Sequence, residues 1–88
     1  MTLKQLEYFR VLAEVQHYTR AAERLLISQP SLSYSISELE KELNVPLFEK
    51  RGKKIILNNY GKLFLTYVNE ALDKLDEGMK QLNILIDP

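Results

Sequence analysis

"SQPSLSYSISELE", residues 28–40, carries five serines in its first ten positions, yet its apolar residues recur at helical spacing. Serine is a middling helix former, because its hydroxyl can bond nearby backbone in competing conformations. Burial rather than propensity must hold this segment. Leu32, Ile36, Leu39 and Leu43 follow one another at steps of four, three and four, which places them within roughly a sixth of the circumference at about 3.6 residues per turn. Opposite them the same wheel places Pro30, Ser33, Tyr34, Ser37 and Lys41, with Gln29 at the leading edge. This face carries small polar groups, one aromatic ring and no carboxylate; Glu38 and Glu40 lie to either side. Small hydrogen-bonding side chains let a backbone approach a partner dense in donors and acceptors, and the floor of the DNA major groove is such a partner. Taken alone, the face reads equally well as a solvated surface.

Upstream, Leu3, Leu6, Phe9, Leu12 and Ala13, with Val11 and Val15 beside them, predict an amphipathic helix from Leu3 to Gln16. "HYTRAAERLLIS" predicts a short second helix with Thr19 as N-cap and Ala21, Ala22, Leu25 and Leu26 facing inward. A break at Ile27 to Gln29 leads into the serine helix, where Pro30 is acceptable because the first turn needs no backbone donor. Two helices joined by a short turn, the second with one buried stripe and one polar face, form a helix-turn-helix pattern.

After Asn44 and Pro46 the period changes. "PLFEKRGKKIIL" reads as two short strands, Leu47 to Glu49 and Ile55 to Leu57, around a turn at Arg51 and Gly52. Four cations fall within five residues, Lys50 to Lys54. A basic hairpin after a helix-turn-helix is a wing, whose tip can reach phosphates or the minor groove. Lysines that keep a solvated edge from aggregating are the alternative.

From Asn58 to Ile86 the chain reads as one long helix. Leu65, Val68, Leu72, Leu75, Met79, Leu82 and Ile86 fall at alternating steps of three and four, a heptad seam. Such a seam cannot stay wet on an isolated helix, so a second chain, or the first helix, must cover it. Gly78, beside the seam, is a local weakness of about 1 kcal/mol and a candidate kink.

With 88 residues, the chain makes one small domain able to bury about two-thirds of its unfolded surface. Hydrophobic residues are 45% and charged residues 27%, a globular composition. No cysteine is present, which fits a reducing cytosol. No apolar run approaches the roughly 20 residues of a membrane span, so an intracellular protein is expected. Formal net charge is zero, but its distribution is uneven: Met1 to Lys62 holds ten Lys or Arg against seven Asp or Glu, and Leu63 to Pro88 holds two against five. The two parts face different partners.

Catalytic motifs are missing. His17 is the sole histidine and stands without a neighbouring ligand set, as a surface or capping residue. No phosphate loop, zinc-protease or nucleophile-elbow pattern occurs. No enzyme activity, cofactor or metal is expected.

The run "LEYFRVLAEVQHYTRAAERLLISQPSLSYSISELEKELNVPLFEKRGKKIILNNYG" resembles the amino-terminal DNA-binding domain of LysR-type transcriptional regulators. "AE" after helix one, "TRAAERL", "SQPSLS", "ISELEKEL", "LF", the basic wing and Gly61 occur in the family's order and spacing. The resemblance implies a mainly α fold: a winged helix-turn-helix with a two-stranded wing over residues 1–57, then a linker and dimerisation helix over 58–88 that pairs antiparallel with a second subunit. It implies double-stranded DNA with an interrupted palindrome as partner, and a homodimer, a tetramer being left open for the full-length protein. A bacterial cytoplasmic location follows. A larger effector-binding domain would continue past Pro88, which makes this chain an expected fragment.

Carried over by position, the recognition helix spans residues 29–43, with Gln29, Pro30, Ser33 and Tyr34 facing base edges. Ser28, Ser31 and Ser37 stand nearer phosphates, and Arg51, Lys53 and Lys54 supply the wing of residues 50–54. Position 34 is often arginine in the family, and Tyr34 cannot make the bidentate guanine contact arginine allows; a thymine methyl or a phosphate is the expected substitute. Whether Lys50 or Arg51 makes the wing contact stays open. Asn58 stands where the family usually has threonine, and either caps the last helix. A reading from another class also stands: a helical protein-interaction module that uses the 65–86 seam without binding DNA.

Overall fold

The computed structural model describes residues 1–87; Pro88, the last residue of the expected linker segment, lies outside the described residues. The order of elements is α1 (Leu3–Val15), α2 (Tyr18–Leu25), α3 (Gln29–Leu43), β1 (Phe48–Arg51), β2 (Lys54–Leu57) and α4 (Asn59–Ile86). The fold is mainly helical with a two-stranded antiparallel wing.

Each helix starts at a side chain that satisfies orphan backbone donors. Thr2 and Gln5 form a reciprocal capping box on α1. The Nδ1 atom of His17 accepts from Arg20 N (3.2 Å), so His17 caps α2 in place of the expected Thr19. The reason lies one residue earlier: Gln16 ends α1 in the left-handed region (φ 62°), and the chain is extended again only at His17. Ser28 caps α3 and Asn58 caps α4, where Asn58 Oδ1 accepts from Gly61 N at 2.8 Å.

The turn between α2 and α3 corrects a second expectation. Leu26 does not face inward; it is 91% exposed. It ends α2 with φ 59°, and Leu26 N bonds Glu23 O while Ile27 N bonds Ala22 O. That double closure demands a left-handed residue, and the reversal turns Leu26 outward while Leu25 and Ile27 pack against the core.

The core lies where α1, α2, α3 and the start of α4 converge. Phe9 is fully buried at its centre, with ring centroids 5.5 Å from both Phe48 and Phe64. Leu32, Ile36 and Leu39 of α3 are buried against α1 and α2, and Leu43 is half-buried. The wing is tied to this body. Ile55 N donates to Gln16 O (3.1 Å), Leu47 N donates to Glu40 Oε2 (2.6 Å), and Asn58 Nδ2 donates to Pro46 O (2.8 Å). Its turn sits at Gly52 and Lys53, one residue later than expected, because Phe48 pairs with Leu57 and Arg51 with Lys54. Gly52 takes φ 61° at the first central position of a two-residue loop, the conformation hairpin twist favours.

The first turn of α4 crosses the segment before β1 at close range. A Cβ on Gly61 would stand 2.1 Å from the Leu47 carbonyl oxygen, so only glycine fits. Beyond that crossing, Leu65 is half-buried and Val68 and Leu72 are buried against α1. Leu75, Met79, Leu82 and Ile86 are exposed. The heptad seam is therefore divided, with its first three positions covered by the chain's own body. α4 runs unbroken through Gly78, and the molecule measures 50 × 25 × 20 Å because the second half of α4 projects from the body.

Candidate nucleic-acid interface

The side of α3 opposite Leu32, Ile36 and Leu39 is open. Ser28, Gln29, Pro30, Ser31, Tyr34 and Ser37 are exposed, and Ser33 is half-buried. Part of this face is ordered by its own hydrogen bonds. Ser28 Oγ accepts from Ser31 N (3.2 Å) and donates to Ser31 Oγ (2.8 Å), while Gln29 Nε2 donates to Ser33 Oγ (2.8 Å). Gln29 thus keeps one N–H and its carbonyl oxygen for a partner. Tyr34 is 69% exposed. The Glu38 carboxylate pushes its pKa up, first by accepting the phenol's hydrogen bond and then by charge.

The wing presents its cations on two sides. Alternation along β1 sets Lys50, paired with the buried Ile55, toward the body and Arg51 away from it. Arg51 Nη2 donates to Glu49 Oε1 (3.3 Å) and lines a groove of about 590 Å³ with Tyr60 and Lys62. Among the described residues, Lys50, Lys53 and Lys54 have no ion pair. They line a second cleft of about 370 Å³ together with His17, Tyr18 and Thr19 at the start of α2. Sequence spacing had no means of joining Lys50 to residues more than thirty positions away; the link is made by the Ile55 to Gln16 hydrogen bond.

Glu40, which flanks the outer face, is structural. It holds Leu47 N, and its charge acts second to burial in raising the pKa of Tyr18. The nearest carboxylate left beside the outer face of α3 is Glu38, ion-paired with Lys41 Nζ at 3.8 Å.

The open half of α4 adds an apolar surface. Tyr60, Leu63 and Tyr67 are exposed on the first half of the helix and, with Leu43, Val45, Leu47 and Phe64, line a groove of about 220 Å³. The exposed Leu75, Met79, Leu82, Leu85 and Ile86 continue along the second half.

Comparison with known proteins agrees with this arrangement. The sequence profile of the family described as "Bacterial regulatory helix-turn-helix protein, lysR family" matches residues 3–62. YybE, an uncharacterized HTH-type transcriptional regulator of Bacillus subtilis strain 168, is 47% identical over 88 residues, which cover all of this chain and 30% of that protein. GltC of the same organism, a transcriptional dual regulator, is 42% identical over 88 residues and is covered to 29%. The chain thus spans less than a third of the length of these relatives. Among solved structures, the DNA-binding domain of BenM in complex with its catB site 1 DNA superposes with a TM-score of 0.94 at 32% identity, covering 100% of this chain and 99% of that one. The corresponding domain of CbnR, also in a DNA complex, gives 0.88 at 30% identity, with 98% and 99% covered. The chain belongs to the LysR family of bacterial regulatory helix-turn-helix proteins.

Proposed function

We propose that this chain is the DNA-binding and dimerisation segment of a bacterial LysR-type transcriptional regulator. The observation that carries the reading is the two-sided character of α3: Leu32, Ile36 and Leu39 anchor one side while Gln29, Pro30, Ser33, Tyr34 and Ser37 line the other, open side. That side enters the major groove, Ser28 and Ser31 lie nearer the phosphates, and the wing carries Arg51, Lys53 and Lys54 to the backbone or the minor groove. Lys50 and Thr19 line the cleft against α2 together with Lys53 and Lys54. The near-complete overlap with the BenM and CbnR DNA-binding domains supports the reading. No chemical step belongs to it, and its location is the bacterial cytoplasm, where the DNA is.

Fluorescence anisotropy with labelled duplexes tests it. The Lys53→Ala, Lys54→Ala double variant weakens binding to every sequence alike and lowers the slope of log affinity against log salt by about two. An unchanged slope contradicts the wing assignment.

The dimer follows from the open stripe of α4. Leu75, Met79, Leu82 and Ile86 of one copy meet a second copy, with Leu65, Val68 and Leu72 contributing from beneath as the packed base of the helix. A two-fold arrangement that lays the apolar end of each helix along the groove of Tyr60, Leu63 and Tyr67 on the other covers both surfaces at once, and requires the helices to run antiparallel. The protein-interaction reading has no observation of its own in its favour, since self-pairing accounts for the same seam. Leu75→Glu with Met79→Glu converts dimer to monomer in sedimentation without unfolding the body; a persistent dimer refutes this assignment. Leu72 is unsuitable for that test, being buried in its own chain.

A further inference from the structure

Gly78 has no use within the monomer. It lies inside an unbroken helix, where glycine is a less favourable choice than alanine. A Cβ placed on it meets nothing within 4 Å, whereas Gly61 is required by the Leu47 carbonyl. What glycine does offer in a helix is room for another side chain or backbone to come close.

The position of Gly78 on α4 shows what could come close. Tyr60, Tyr67, Ala71, Gly78, Leu82 and Leu85 fall within roughly a sixth of the circumference, and no charged residue falls among them. All six are exposed, Tyr67 by 61% and Leu85 by 80%. Val68 and Leu72, which pack on the body, lie about a quarter-turn away. This second stripe is therefore open along the whole of α4, while the seam from Leu65 to Ile86 is open only beyond Leu72. Its two halves are unlike. The first is aromatic and borders the groove of about 220 Å³ lined by Leu43, Val45 and Leu63; the second carries Gly78 and two leucines.

Resting on the antiparallel self-pairing proposed above, we infer that Gly78 is the socket for Tyr67 of a second copy, and that this contact sets the register of the dimer. Tyr67 opposite the partner's Gly78 puts the two-fold axis level with the step from Leu72 to Asp73. Positions equidistant from the axis meet. Tyr60 then faces the partner's Leu85 and Leu63 the partner's Leu82, so both leucines enter the apolar groove. Ala71, beside the axis, keeps the two backbones close. Glu70 has no ion pair among the described residues, and it comes beside the partner's Lys74 at the rim. A slide of one turn forfeits this match. In one direction it sets Lys74 against the partner's Leu75 at the axis; in the other it leaves Leu85 beyond the start of the partner's α4. The socket occurs twice by symmetry, and each encloses an aromatic ring that the monomer leaves wet.

Sedimentation equilibrium of the whole chain tests the register, with Gly78→Ala, Gly78→Leu, Tyr67→Ala and the Tyr67→Ala, Gly78→Leu double variant beside the wild type. Gly78→Ala favours the helix, so helix propensity alone would tighten the dimer; a filled socket instead loosens it by about fivefold. Gly78→Leu overfills both sockets and loosens the dimer by about a hundredfold. Tyr67→Ala alone costs about tenfold. Added to Gly78→Leu, it restores the dimer to within about fivefold of wild type, because volume is exchanged across the interface. Urea unfolding at high dilution checks that the body is kept, as the open space at Gly78 permits. A dimer that tolerates Gly78→Leu overturns the inference, and so does a loss that Tyr67→Ala fails to relieve; the self-pairing reading survives both. A wild type that stays monomeric at high concentration overturns the self-pairing reading itself, and the inference with it.

Discussion

Helices α3 and α4 are both amphipathic, and they are finished differently. The apolar stripe of α3 is covered by α1 and α2, and what remains open is polar. The stripe of α4 is covered only as far as Leu72, and what remains open is apolar. An open polar face rich in small hydrogen-bonding groups suits a wet, donor-and-acceptor surface such as a DNA groove. A long open apolar stripe suits another copy of the same helix. One molecule thus presents two open surfaces of opposite character, and the charge division at Lys62 follows the same line.

The contrast can be broken most sharply with two leucines. Leu32→Ala empties a fully enclosed site in α3 and should cost about 3 kcal/mol in urea unfolding. Leu82→Ala, 58% exposed on α4, should leave the monomer's stability within about 0.5 kcal/mol and weaken only its dimer. Equal losses in dilute monomer would erase the distinction. Two glycines of α4 sharpen it next. Gly61→Ala drives a Cβ into the Leu47 carbonyl and should cost about 3 kcal/mol, detaching the helix from the wing. Gly78→Ala meets nothing within 4 Å and should stabilise the dilute monomer by about 1 kcal/mol. A gain smaller than that at Gly78 belongs to the turn that sets α3 in place. Leu26→Gly relieves a left-handed leucine without uncovering buried surface, and a gain of about 0.5–1 kcal/mol is expected in thermal unfolding. A loss there would mean that the exposed leucine packs on something.

These contrasts also mark what the sequence could disclose. The α3 stripe was legible because Leu32, Ile36 and Leu39 keep helical spacing against an unbroken polar side, and the wing because cations cluster around Gly52. Asn58 was legible as a cap from its residue type. The α4 seam was legible as a stripe, but spacing states that residues will be covered and is silent on what covers them; the packing of α1 on Val68 and Leu72 is a long-range fact. Leu26 misled because an apolar residue at the end of a helical pattern reads as buried, while helix termination required a left-handed residue at that position. His17 was placed as surface or cap, but Thr19 was preferred by type, since capping depends on where the preceding helix stops.

We propose the open side of α3, with the wing, as the surface that meets DNA. Amide resonances of the labelled chain followed during titration with a selected duplex test it most directly. The largest changes are expected at Ser28, Gln29, Ser33, Tyr34 and Ser37 and at Lys50 to Lys54, with Leu82 to Ile86 unmoved. Changes confined to α4, or a spectrum of α3 that stays fixed while the duplex binds, would contradict it.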